Sequence, residues 1–382
     1  MSRSTFDRRE FLSTLGRCAG LCAVAPAALL AAERAAEAAT NNVSNVVARY
    51  WHPVAGGETK CDLCPRGCSI KPGERGFCGV RENQSGEYRT KVYGKPCVVY
   101  VDPMAKGPFF HFLPDTKTVA VGTAGCNLDC GFCQSYTFAQ ARPEQTDNKN
   151  LPPDDLVAQT QRYGLKTITF TYSEPIQCIE YVIDTARAAH AQGIRVLFHT
   201  AGFASEVPMK DLVHAVDAVN VDLKGFTDDY YKNVTGGRLE PVLHTMQIVR
   251  AAGKHLEVTY LTIPGYNDST AMVQEACTWV VNHVGADTPM HFSRFFPKYK
   301  MQQVPATPIV TLEEVRKTAY KCGIQYAYIG NVPGHAGEST YCPKCHTCLV
   351  KHVGYQSITF QGLSPRTGRC LCCRAQIPGT WA

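Results

Sequence analysis

The sequence predicts an α/β protein: an incomplete parallel barrel of TIM type, close to a (β/α)6 arrangement, with a small cysteine-rich module before it and a zinc-ribbon-like tail after it. Three observations carry this. From Thr116 onward, short β-branched runs alternate with amphipathic stretches of helical length, the signature of repeated βα units over a parallel sheet. The chain holds 19 cysteines, most of them in groups with C-x2-C spacing, which favours metal over inert packing. Its 382 residues, 45% hydrophobic, leave room for one large domain and small satellites. The expected divisions are 1–40, 41–115, 116–333 and 334–382. A net charge of +6 is mild and forms no basic stripe, so nucleic acid is not an expected partner.

Residues 1–40 read as a leader. Arg8-Arg9-Glu10-Phe11-Leu12 precedes a mildly apolar run from Leu15 to Ala32, and alanines continue to Ala39, as in a twin-arginine export signal. The run is short and Arg17 interrupts it, so no transmembrane anchor is expected. Cys22 follows Leu21 rather than a small residue, which argues against a lipoprotein site. Such a leader would carry folded protein to the periplasm. A cytosolic amphipathic N-terminus is the other reading.

After an asparagine-rich joint, Cys61, Cys64, Cys68 and Cys78 fall at x2, x3 and x9 spacings among the turn residues Pro65, Gly67, Pro72, Gly73 and Gly76. Four thiols so placed fit a tetrahedral metal site in a loop-rich module, and zinc and an auxiliary iron-sulfur cluster are both chemically sound. Residues 88–101 alternate charged and apolar side chains and are expected to be strands joining this module to the barrel.

In the barrel, strands are expected at 118–121, 167–172, 194–199, 218–222, 256–261, 290–295 and 325–329, with helices at 176–192, 239–252, 270–284 and 312–322. The first strand feeds Cys126-Asn127-Leu128-Asp129-Cys130-Gly131-Phe132-Cys133. Ligands in parallel α/β sheets bind outside the C-terminal strand ends, where this loop lies. Soft thiolates suit iron-sulfur iron, and a tight loop can aim all three inward. A cubane has four irons, so three cysteines leave one without a protein ligand. The competing reading is a zinc loop with a fourth ligand from elsewhere.

This C-x3-C-x2-C, with Phe132 before its last cysteine, resembles the signature of the radical S-adenosylmethionine (SAM) superfamily. The resemblance implies a [4Fe-4S] cluster on Cys126, Cys130 and Cys133 whose open iron chelates SAM. It further implies reductive cleavage to a 5'-deoxyadenosyl radical that abstracts hydrogen. It also implies a partial barrel, a flavodoxin- or ferredoxin-like reductant and, in some members, a protein substrate. Thr171-Tyr172-Ser173-Glu174-Pro175 stands where the family has a Gly-Gly-Glu-Pro-like segment on the SAM amino group, with Tyr172 and Ser173 departing from it. Asp222-Leu223-Lys224 resembles the D-x-K of glycyl-radical activating enzymes, whose lysine reaches the SAM carboxylate. Strand alternation sends Asp222 and Lys224 to one side, toward the pocket or, in the competing reading, into a buried structural ion pair. The other reading of Glu174 is a solvated acid at a helix start. Stretches 261–268 and 291–297 resemble the substrate side of pyruvate formate-lyase activating enzyme. His291 and Arg294 are candidates there for adenine, phosphate or substrate, and Thr200, beside His199, for ribose or a helix cap. SAM chemistry would favour the cytoplasm, against the leader.

In the tail, Cys342-Pro343-Lys344-Cys345 and Cys370-Leu371-Cys372-Cys373 are two knuckles around a strand-like stretch, 351–361. The expected ligands are Cys342, Cys345, Cys370 and Cys373, with zinc or an iron-sulfur cluster between them and Cys348 and Cys372 spare. The order of modules resembles the AmmeMemoRadiSam-system radical SAM enzymes. The expected function is hydrogen abstraction from a protein or small molecule, glycyl-radical activation being one form. The alternatives are a multi-cluster electron-transfer protein without SAM chemistry and a zinc-sensing or partner-binding module.

Overall fold

A computed structural model of the protein describes residues 42–382, and the leader expected at 1–40 lies outside the described residues. Ser44–Ala382 form one compact unit. Its spine is an eight-stranded sheet whose spatial order follows the chain: β1 (Val98–Pro103), β2 (Lys117–Gly122), β3 (Thr167–Phe170), β4 (Arg195–Thr200), β5 (Ala218–Asp222), β6 (His255–Thr262), β7 (Met290–Arg294) and β8 (Ala327–Gly330). β1 pairs antiparallel with β2, and every later pairing is parallel. Among the described residues no ladder joins β1 to β8, so the sheet is open rather than a closed barrel.

Local chemistry explains the strands. Thr-Val-Ala-Val in β2, Thr-Ile-Thr-Phe in β3 and Ala-Val-Asn-Val in β5 are buried throughout, as parallel strands covered on both faces must be. Helices α1 (Pro153–Arg162), α2 (Ile179–His190), α3 (Glu206–Ala215), α4 (Leu239–Ala251), α5 (Thr270–His283) and α6 (Ile309–Lys321) return the chain between strands. α1 begins with Pro153 in its first turn, followed by Asp154 and Asp155, which suit the positive end of the helix dipole. In α5 the Ser269 hydroxyl caps the start by accepting from Met272 N–H at 3.3 Å.

The expected strands all form, with shifted ends. The one expected at 167–172, β3, ends at Phe170, because Tyr172 takes a left-handed φ of 72° and turns the chain out of the sheet. The expected helix at 176–192 splits into a 3-10 turn, Pro175–Cys178, and α2. Strand β1 becomes an edge of the main sheet itself, paired with β2 through Val99 and Val121.

The tail continues as β9 (Thr340–Tyr341), β10 (Cys348–Val353) and β11 (Ser357–Phe360), an antiparallel sheet. It packs beside β8 on a separate apolar cluster that includes Phe110, Tyr328, Leu349, Ile377 and Trp381. Leu113 N–H donates to Thr380 O at 2.7 Å and the His111 ring to Pro378 O at 2.7 Å. The segment between β1 and β2 and the tail thus meet on one side of the sheet. Among the described residues no helix is long and apolar enough to cross a membrane.

Candidate active site and metal centres

The loop after β2 is held from two sides. Asp129 N–H donates to Thr235 O, Gly131 N–H to Val234 O, and Lys300 N–H to Gly131 O, at 2.9–3.0 Å. Cys126, Cys130 and Cys133 hang from this loop, and Cys126 Sγ accepts from Leu128 N–H at 3.4 Å. Burial raises all three thiols, Cys130 to about 12, so thiolates here require a cation. Among the described residues, the only set of three or more Cys, His, Asp or Glu ligand atoms that all lie within 4.8 Å of one another is in the tail. Cys126, Cys130 and Cys133 do not form such a set, and a polynuclear core, whose thiolates sit on different irons, does not need one.

The loop opens on a cavity of about 450 Å³ at the C-terminal strand ends, lined by the three cysteines with Phe132, Glu174, Thr200, Asp222, Lys224 and His291. Every cofactor-site residue expected from sequence lines this one chamber. Glu174 is buried, and its carboxylate accepts from Thr200 Oγ1 at 2.7 Å, Ala201 N–H at 2.7 Å and Ile176 N–H at 3.0 Å. Burial pushes its pKa up, while these donors and Lys224 pull the other way. Thr200 caps no helix; it fixes Glu174.

Lys224 Nζ sits 3.0 Å from Asp222 Oδ2 and 5.6 Å from the Phe132 ring centroid, and His199 Nε2 lies 3.0 Å from Asp222 Oδ1. Burial would raise Asp222, but Lys224 and His199 outweigh it and hold the carboxyl well below its usual range. Burial would likewise lower Lys224, but Asp222 and the neighbouring Cys130 outweigh it and hold the ammonium charged. The stretch 261–268 supports this pair: Asn267 Nδ2 donates to Lys224 O at 2.7 Å and to Leu261 O at 2.8 Å.

His291 Nε2 lies 2.6 Å from Glu257 Oε2. Glu257 also accepts from Phe110 N–H, His111 N–H and the His255 ring at 2.8–3.1 Å. Arg294 turns away to donate to Thr307 O at 2.8 Å. Sequence reasoning missed Glu257, whose only local signal is one acid inside an apolar strand. It also missed Asp102, Lys106, Asn331 and Tyr355, which line the far wall. Tyr355 reaches in from the turn between β10 and β11 and bonds Asn331.

Two further cysteine groups lie outside the chamber. In the tail, Cys342, Cys345, Cys370 and Cys373 are the closely grouped set, with Cys342 and Cys373 sulfurs 3.5 Å apart and Cys345 and Cys370 3.6 Å apart. That spacing fits four thiolates on one ion, with Cys348 and Cys372 outside. In the N-terminal module, burial raises Cys61, Cys64 to about 11 and Cys78 to about 12.

A family model described as the Radical SAM superfamily matches residues 121–276. The chain is 40% identical over 330 residues to an uncharacterised protein of Methanocaldococcus jannaschii, covering 86% of this chain and 98% of that one. It is 27% identical to the benzylsuccinate synthase activating enzyme of Thauera aromatica over 120 residues, 31% of this chain and only 36% of that enzyme. It is 26% identical to the pyruvate formate-lyase-activating enzyme of Clostridium pasteurianum over 176 residues, 44% and 71% of the two chains. Among solved structures it is similar to a radical SAM methyltransferase from Sphaerobacter thermophilus, with 19% identity and a TM-score of 0.46 over 59% of this chain and 71% of that one.

Proposed function

The chain belongs to the radical SAM superfamily and is an enzyme, and on that premise we propose that it cleaves SAM reductively at a [4Fe-4S] cluster held by Cys126, Cys130 and Cys133 and abstracts hydrogen from a substrate. The observation that carries this reading is the convergence of Cys126, Cys130 and Cys133, the second buried and the others half-buried, with Glu174 and the Asp222–Lys224 pair on one chamber. When bound, the cluster supplies the electron that breaks the S–C5' bond. Everything else is done by the chain.

Glu174, braced by three donors, presents a rigid acceptor for the SAM amino group. Lys224, charged and held by Asp222, faces the carboxylate side, next to Phe132. Thr200 acts through Glu174 and is a positioning residue. His291, oriented by Glu257, stands further along the wall, where adenine or substrate would lie.

The finer reading is activation of a partner enzyme, as the names of the pyruvate formate-lyase and benzylsuccinate synthase relatives say of them, here by hydrogen abstraction at a glycyl residue. A flavodoxin- or ferredoxin-like protein would be the reductant. The module order supports placement with the AmmeMemoRadiSam-system enzymes, and the tail tetrad supports one zinc ion. Anaerobically reconstituted protein given SAM and dithionite is expected to yield 5'-deoxyadenosine. A yield no greater than that of the Cys126→Ala, Cys130→Ala, Cys133→Ala variant overturns the reading.

A further inference from the structure

Cys61, Cys64, Cys68 and Cys78 admit zinc or iron-sulfur by spacing, and the geometry separates the two. The tail provides an internal standard: its four sulfurs lie within 4.8 Å of one another, as ligands of one ion must. No three of the N-terminal four meet that limit, which places them with the thiols of the chamber loop. They nevertheless share one site, with Cys61 and Cys64 buried and Cys68 and Cys78 half-buried. The backbone N–H groups of Leu63, Arg66 and Val80 favour the thiolates of Cys61, Cys64 and Cys78 against burial, and in the chamber loop Leu128 N–H donates to Cys126 at 3.4 Å. The fully buried Arg81 guanidinium stands near Cys61 and Cys78, a cation beside sulfurs that would carry negative charge. The Tyr88 hydroxyl is buried against Cys61 with no nitrogen or oxygen partner among the described residues.

The position of this site matters as much as its size. Gly125, the residue before Cys126, has φ +87° and runs so close beneath the module that a Cβ would fall 2.6 Å from Cys78 O and 2.4 Å from Val80 Cγ1. Arg66 donates to Asn127 O at 2.5 Å and to Gly236 O at 2.6 Å, and the Asn127 side chain lies against Cys64. The two cysteine loops are in direct contact. On the other side Cys68 is partly exposed, and Arg66 stacks at 3.4 Å on Phe77, itself 51% exposed.

The geometry points to a second iron-sulfur cluster on Cys61, Cys64, Cys68 and Cys78 that accepts electrons at the Phe77 surface and passes them to the chamber cluster. The relay rests on the function proposed above; the cluster itself does not. Each transfer moves one electron from a reduced flavodoxin-type carrier to the second cluster and then to the first, with no bond made or broken and no proton moved.

The Cys126→Ala, Cys130→Ala, Cys133→Ala variant, reconstituted anaerobically with iron and sulfide, isolates the second site. It is expected to keep about four iron and four sulfide per chain and an EPR signal on reduction that SAM leaves unchanged. Zinc alone, or no iron, overturns the cluster whatever the wild-type enzyme does with SAM. The relay is read by Phe77→Ala, which removes no ligand: deoxyadenosine formation driven by reduced flavodoxin is expected to fall about tenfold, while the dithionite-driven rate stays within about twofold. Equal rates with both reductants, or equal losses, overturn the relay.

Discussion

The hydroxyl of Thr200 donates to Glu174 at 2.7 Å and accepts in turn from Gly202 N–H at 2.9 Å, so the end of β4 holds a carboxylate that follows β3. Thr200→Val is expected to cost about 1–2 kcal/mol of stability through the lost donor and to weaken SAM binding about tenfold, with Thr200→Ser restoring both. Equilibrium dialysis and thermal unfolding check this. Unchanged binding would sever Thr200 from the site.

Lys224→Met removes the ammonium from between Asp222 and Phe132. The pair is walled by protein yet open to the chamber, so the expected stability loss is on the order of 2 kcal/mol, between the limits for exposed and buried pairs. Deoxyadenosine formation should fall by about two orders of magnitude, with the cluster's iron content unchanged.

Arg81 and Glu180 form an ion pair of 2.6 Å with side chains 0% and 3% exposed, joining the N-terminal module to α2. Arg81→Leu leaves the carboxylate uncompensated and is expected to cost about 3–5 kcal/mol in urea unfolding. A loss under about 1 kcal/mol would show that water reaches Glu180.

Removing the tail metal should be separable from the chamber chemistry. Cys342→Ser with Cys373→Ser is expected to lose about one zinc per chain by elemental analysis while the chamber iron stays. Iron lost in place of zinc would reassign the tail.

His352 is buried, stacks on Phe110 at 4.2 Å between ring centroids, and has no partner on either ring nitrogen among the described residues. Burial pushes its pKa down to about 3 from 6.5. Between those values the unfolded chain binds a proton that the folded chain refuses, so this contribution to stability is complete above 6.5 and is lost as pH falls toward 3. His352→Phe is expected to match or exceed wild-type stability at pH 7 and to lose less of it at pH 5, measured by urea midpoints. A variant that loses as much as wild type would contradict this.

What was legible in the sequence was local. Cys126, Cys130 and Cys133 stand out by spacing, and Glu174 and Lys224 by the resemblance of their strand-end segments to family motifs. Some of the partners that position the chamber side chains are local, as Asp222 is to Lys224, but others are not. Thr200 is 26 residues from Glu174, and Glu257 is 34 from His291, so no window of sequence joins them. Tyr172 shows why strand ends blur: an ordinary β-former by composition, it is turned left-handed where its hydroxyl bonds Asp102 of β1. The joining of β1 to the main sheet also depends on a partner, β2, across the intervening turn.

The bond from the His111 ring to Pro378 spans 267 positions, and with Leu113 to Thr380 it ties the segment after β1 to the tail. Loop-closure entropy grows only slowly with length, by about 0.6 kcal/mol per doubling, so even this span is a modest cost against two backbone-anchored bonds. The last residues of the chain thus fasten the very segment whose Phe110 and His111 N–H groups brace Glu257, so the C-terminal strap reaches the His291 wall of the chamber through that segment's backbone.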